Sequence, residues 1–184
     1  MNNPQVQFAV NMDDGTVAVI AFMTEGRSPT LPFGAVWKPD GSGLWYREPS
    51  DVNVFAELSK AFPSVDMNGL PKPQPVSYKR IEIADLPQDR TYRNALTFDG
   101  EAFDHDIEKA KDIQLDLVRR ARTVELGKLD VEWMKAVGQG DNKKAQEIEA
   151  KRQSLRDAPQ TLDMSQVANV EELKAIWPAD LPKV

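Results

Sequence analysis

The sequence predicts an α+β protein: a small antiparallel β-rich module with one short helix, followed by an α-helical hairpin and a short terminal helix. Three observations carry this. Asp-Gly steps sit between short alternating apolar runs in the first half, and Asp-Gly between such runs is a strong hairpin signal. Apolar residues recur at helical spacing almost without interruption from Asp104 to Ala158, broken by Gly138-Gln139-Gly140-Asp141. Proline and glycine crowd residues 26–49 and 71–75 and then thin out. The expected division is a β-rich module over 1–103 and a helical hairpin with C-terminal helix over 104–184.

Taken in order, Gln5 to Met12 and Thr16 to Met23 flank Asp13-Asp14-Gly15 and read as an opening β-hairpin. Residues 26–49 hold four prolines, four glycines and two tryptophans. The pieces Ala35-Val36-Trp37 and Leu44-Trp45-Tyr46, around Lys38-Pro39-Asp40-Gly41-Ser42-Gly43, suggest a second hairpin. Ser50 or Asp51 caps a helix from Val52 to about Ala61, with Val54, Phe55, Leu58 and Phe62 expected on its buried face. The run Pro71-Lys72-Pro73-Gln74-Pro75 lacks three amide donors and is an extended connector or edge segment. It leads into a strand over Val76 to Ile83.

A third hairpin is expected at Asn94 to Phe98 and Ala102-Phe103, around Asp99-Gly100. The long helix starts at Asp104 or Asp106, where the acidic first turn suits the positive end of the helix dipole. Ile107, Ala110, Ile113, Leu117, Ala121 and Val124 make one stripe, and Leu126, Leu129, Trp133 and Val137 a second, offset across Gly127. Gly127 marks either a bend or a close approach by a neighbour. Asp141 caps the return helix, whose apolar face is Ala145, Ile148 and Leu155. The last helix is capped by Asn169 and carries Val170, Leu173, Ile176 and Trp177.

Composition narrows the function classes. Lys and Arg number 23 against 29 Asp and Glu, a net charge of −6. That opposes attraction to a phosphate backbone, so nucleic acid is not an expected partner. The absence of cysteine removes disulfides, thiolate metal sites and a Cys nucleophile. Val17 to Met23, the longest apolar run, is far shorter than the roughly 20 residues of a membrane-spanning helix, and no membrane partner is expected. Met1 to Gln7 does not resemble a secretory signal, which leaves synthesis in the cytoplasm as the expectation.

No catalytic, cofactor or metal site is expected. His105, the single histidine, lies among Asp104, Asp106 and Glu108, but capping and dipole complementarity account for that cluster, and no second histidine completes a zinc set. Gly-x-Ser-x-Gly and both glycine-rich phosphate loops are absent. Arg119, Arg120 and Arg122 form a compact basic patch within helical reach of Asp112, Asp116 and Glu125, the pattern of solvated ion pairs. Trp37 and Trp45 flank one turn and raise a carbohydrate-stacking reading. Trp133 and Trp177, each near the end of an amphipathic helix, are the leading interface candidates. Leu117, Leu129 and Val137 join them as candidate contact residues on the long helix.

At Asp89-Arg90-Thr91-Tyr92-Arg93-Asn94-Ala95, Asp106-Ile107-Glu108-Lys109-Ala110, Leu129-Asp130-Val131-Glu132-Trp133-Met134, Gly140-Asp141 and Lys151-Arg152-Gln153-Ser154-Leu155-Arg156-Asp157, the chain resembles a family of tailed-bacteriophage and prophage proteins. The same is true of the Pro-bounded tail Glu171-Glu172-Leu173-Lys174-Ala175-Ile176-Trp177-Pro178. The resemblance covers roughly residues 86–182. It implies a non-enzymatic structural protein of the tail or head-tail neck, present in several copies around a symmetry axis in the virion and contacting other phage proteins. A tail or tail-fibre assembly chaperone that leaves before maturation is the alternative, and a carbohydrate or host-receptor binding module the third expectation.

Overall fold

The computed structural model describes residues 5–183 and has the α+β architecture that the sequence predicts. It divides into two compact units, Met1–Asp104 and His105–Val184.

The first unit is built on β1 (Gln5–Met12) and β2 (Val17–Met23), paired antiparallel from Gln5 opposite Met23 to Asn11 opposite Val17. Four residues, Asp13 to Thr16, lie between them. Gly15 donates to the Met12 carbonyl at 3.0 Å and Met12 to that of Thr16 at 2.9 Å. Gly15 has φ +77°, the left-handed conformation that closes such a loop after a type I turn. Two strands of two residues each, β3 (Glu25–Gly26) and β4 (Val36–Trp37), flank β5 (Trp45–Tyr46) in a separate small sheet. Helix α1 (Asp51–Ala61) follows, and then β6 (Pro75–Ile81) returns to pair antiparallel with β1. The main sheet order is therefore β2-β1-β6, with Pro75 on an edge strand, where its missing amide is harmless.

Alternation along β1 serves both faces of this sheet. Phe8, Val10 and Met12 pack with Phe22 of β2 and with Val54 and Leu58 of α1. On the other face Ala9 and Ile81 pack with Phe98, supported by Val17, Leu86 and Phe103. Each fully buried side chain of this size contributes roughly 1.5–3 kcal/mol, so both faces add to stability. Phe55 departs from the expected buried face of α1: it is 59% exposed, its ring set edge-to-face with that of Tyr78 at 5.8 Å between centroids. Ser50 sits at the N-cap of α1 without a side-chain cap bond. A final hairpin, β7 (Leu96–Phe98) with β8 (Phe103–His105), stands at the boundary of the two units. The Asp99 carboxylate holds its turn by accepting from the Glu101 and Ala102 amides at 2.7 and 2.9 Å.

The second unit is helical: α2 (Ile107–Gly138), α3 (Asn142–Asp157), a 3₁₀ turn at Ala158–Gln160 and α4 (Val170–Ala175). Asp106 caps α2, accepting from the Glu108 and Lys109 amides at 3.1 and 3.2 Å. At the other end, Gly140 donates to Val137 at 3.0 Å and Asp141 to Ala136 at 2.9 Å. This pair of bonds is a Schellman motif, and Gly140 supplies the left-handed residue it needs at φ +71°. Asp141 then caps α3 by accepting from the Lys144 amide at 3.0 Å, so three residues both end one helix and start the next.

Candidate functional site

One side of α2 is covered within its own unit. Ala110, Gln114, Val118, Ala121 and Ala136 are buried. Val118 and Ala121 pack with Leu155 and Leu181, supported by Leu126, Leu129, Leu162 and Trp177, while Ala136 packs with Ala145 and Ile148. Small side chains at Ala110, Ala121 and Ala136 let the neighbouring backbone come close. Gln114 is the polar member of this face, 2% exposed. Its amide donates to the carbonyls of Ile176 at 2.8 Å and Leu173 at 3.3 Å, satisfying the end of α4. Nothing in the local pattern distinguishes Gln114 from a surface glutamine, so sequence reasoning passed it over.

The five interface candidates fall into two groups. Leu129 bridges the two helical clusters, Trp133 packs beside Ala136, Ala145 and Ile148, and Trp177 packs against Val118, Ala121, Leu155 and Leu181. Trp177 also donates its indole N–H to the Leu181 carbonyl at 2.9 Å, and the Arg152 guanidinium lies 5.5 Å from the Trp133 ring centroid. These three side chains hold the unit together. Leu117 is half-buried and Val137 exposed.

The other side of α2 is bare. Val124 is 60% exposed, Val131 47%, Met134 59% and Val137 48%. Leu117, Val124 and Val131 recur every seven residues on a slowly drifting line, roughly 60–105° round the helix from the centre of the buried face at 3.6 residues per turn. Arg120, Gly127 and Met134 lie along its edge. The helix runs unbroken through Gly127, and a Cβ added there would meet nothing within 4 Å, so no neighbour approaches this glycine.

The charged groups around this face have separate roles. Arg119 pairs with Asp116 at 2.9 Å, and Arg122 donates to the Arg156 carbonyl at 3.2 Å. Asp130 holds Arg152 at 2.7 Å, and Glu149 takes both Arg156, at 2.9 Å, and Arg152. Bonding from Arg156, with Arg152 beside it, holds the Glu149 carboxyl below its ordinary range. Arg120 makes no ion pair or hydrogen bond among the described residues.

Other candidate chemistry is placed as follows. An open groove of 470 Å³ is lined by Glu125, Leu129, Ala150, Lys151, Ser154, Leu155 and Asp180. Glu125 pairs with Lys128 there, and Ser154 donates to Asp180 at 3.2 Å. Among the described residues no three His, Asp or Glu side chains are grouped to hold a metal ion, and the Asp106 carboxylate is engaged in capping. In the first unit Trp45 is buried while Trp37, directly opposite it, is 46% exposed. A Cβ on Gly26 would stand 2.5 Å from the Trp45 ring, so glycine is required beside it.

Arg47, another residue the sequence reading passed over, is 5% exposed. It pairs with Glu57 at 2.9 Å, donates to the Met23 carbonyl at 2.9 Å and stacks 4.1 Å from the Phe22 ring centroid. This one cation ties the end of β2, the small sheet and α1 together.

Fold and surface define a two-unit α+β protein whose most distinctive external feature is the bare apolar stripe of α2. No family model, curated protein or solved structure matches the chain.

Proposed function

We propose that the chain is a non-enzymatic assembly protein that works through protein contacts, as a structural component of a bacteriophage tail or head-tail neck. The observation that supports contact-making is the stripe of Val124, Val131 and Met134: apolar, exposed and displayed on a helix fixed at both ends by caps. Covering such side chains against a neighbour releases water from apolar area without a large ordering cost, because the helix is already formed. The motif resemblance over residues 86–182 supports the phage setting. In that setting the chain is made in the host cytoplasm and retained in the virion, in multiple copies around a symmetry axis among other tail proteins. Neither nucleic acid nor a membrane is a partner in this reading, consistent with a net charge of −6.

Quantitative mass spectrometry of purified particles from the phage or prophage that encodes the chain tests this. A fixed copy number per particle is expected. Absence from mature particles, together with recovery on an immature tail or fibre, would replace this role with that of an assembly chaperone. A second reading has its own observation: Trp37, Tyr46 and Phe33 are 46%, 42% and 61% exposed in the small-sheet region, which suits a sugar-ring or receptor contact. Glycan binding that is lost in Trp37→Ala would favour that reading.

A further inference from the structure

The bare stripe of α2 matches itself when turned end for end. Leu117, Val124 and Val131 recur at seven-residue spacing with Arg120, Gly127 and Met134 on the adjoining line, the repeat that packs two helices with a left-handed twist. We infer that a second copy of this chain covers the stripe, its α2 running antiparallel about a two-fold axis that passes between Val124 and Gly127. In this register Leu117 faces Met134 of the second copy, Val124 faces Gly127, and Arg120 faces Val131, each layer occurring twice by symmetry. The paired segment, Leu117 to Met134, is about 27 Å long, or five turns.

Size and charge together select this arrangement. The open space at Gly127 receives the branched Val124 of the second copy, so the helices approach closely at the axis and leave no void. Arg120 is exposed and uncommitted, and its stem covers Val131 of the second copy while its guanidinium comes beside Asp130. The Asp130 side chain is 50% exposed and holds only Arg152, so a second cation adds to its pairing. A parallel register instead sets Arg120 on Arg120 and Gly127 on Gly127, combining like-charge repulsion with an unfilled layer. The Asp130 to Lys135 pairs that a parallel register allows are solvent-exposed and contribute little.

The pairing deepens the assembly reading by naming one partner, and rests on it only in treating the stripe as a contact surface. Light scattering on the full chain at micromolar concentration is expected to give twice the monomer mass of 20.6 kDa. The double variant Val124→Asp/Val131→Asp, altered only at exposed positions, should keep its helical circular dichroism while its dimer dissociation constant rises at least ~100-fold, since it would bury unpaired carboxylates. A monomeric wild-type chain, or a double variant that still dimerises normally, would overturn the inference. Because the chain has no cysteine, orientation can be read by disulfide trapping. Leu117→Cys mixed with Met134→Cys should cross-link between unlike chains, and neither should link to itself. Self-linking of Leu117→Cys would overturn the antiparallel pairing. A monomer found at fixed copy number in particles would defeat the pairing and leave the assembly role standing, whereas a dimer absent from particles would do the reverse.

Discussion

The central sheet of the first unit and the long helix of the second are finished differently. The β2-β1-β6 sheet has an apolar cluster on each face, one under α1 and one under the β7 region. Helix α2 has a cluster on one side and bare valine and methionine on the other. An isolated domain gains stability by covering apolar surface, so a face left uncovered on a well-capped helix is where a partner adds most. The comparison separates residues that hold the fold from residues that are free to make contacts.

The largest test of that separation is Arg47→Met. It removes the cation that ties β2, the small sheet and α1, and leaves Glu57 without its partner, so chemical denaturation should show a loss of about 3 kcal/mol. Leu155→Ala on the covered side of the hairpin should cost about 2–4 kcal/mol by opening a cavity, whereas Val131→Asp on the bare side should change monomer stability by less than about 0.5 kcal/mol. Equal losses at Leu155 and Val131 would erase the distinction between the two sides. Gly127→Ala should stabilise the monomer by about 0.5–1 kcal/mol, since the site is helical and open. Read in the Val124→Asp/Val131→Asp background, which keeps the chain monomeric, a loss in melting temperature would show that the chain itself packs on Gly127; in the dimer the added Cβ would instead crowd Val124 of the second copy.

The smallest effect lies outside neutral pH. Tyr78 donates to Asp51 at 2.7 Å, and burial together with that carboxylate raises its ionisation to about 12. The raised value favours the protonated form in the fold, so the contribution is complete below about pH 10, the ordinary tyrosine value, and is lost as pH rises toward 12. Tyr78 should therefore ionise late in an absorbance titration, and Asp51→Asn should bring its ionisation down.

Local signals were legible in the sequence because their physics is local. Asp106, Asp141 and Asn169 cap the helices they were expected to cap, the turn at Gly140 breaks the hairpin, and the loop at Asp13-Asp14-Gly15 joins β1 to β2. What escaped depends on partners distant in sequence. The pairing of β1 with β6, with Gln7 opposite Ile81, sets the sheet order but leaves no local mark. Arg47 follows a Trp-Tyr pair and gives no hint of burial. Phe55 shares the helical spacing of Val54 and Leu58 yet faces outward, because periodicity marks neighbouring lines on a helix without saying where the covered face ends.

The same ambiguity explains the interface candidates. Two stripes on α2 were visible, but only tertiary structure shows that Leu129, Trp133 and Trp177 are engaged inside the unit while Val124 and Val131 are left outside. A test by substitution at Leu129 would therefore mix folding with contact, and the clean probes are the exposed valines.

The most direct measurement of the central claim is the copy number of the folded Val124→Asp/Val131→Asp chain in particles assembled in its presence, set against the wild-type chain. The account predicts a chain that is stable and helical in solution yet depleted from particles at least ~10-fold, in line with the loss of a central contact. Incorporation of that variant at the wild-type copy number would contradict the claim that the bare face of α2 is the surface through which this protein works.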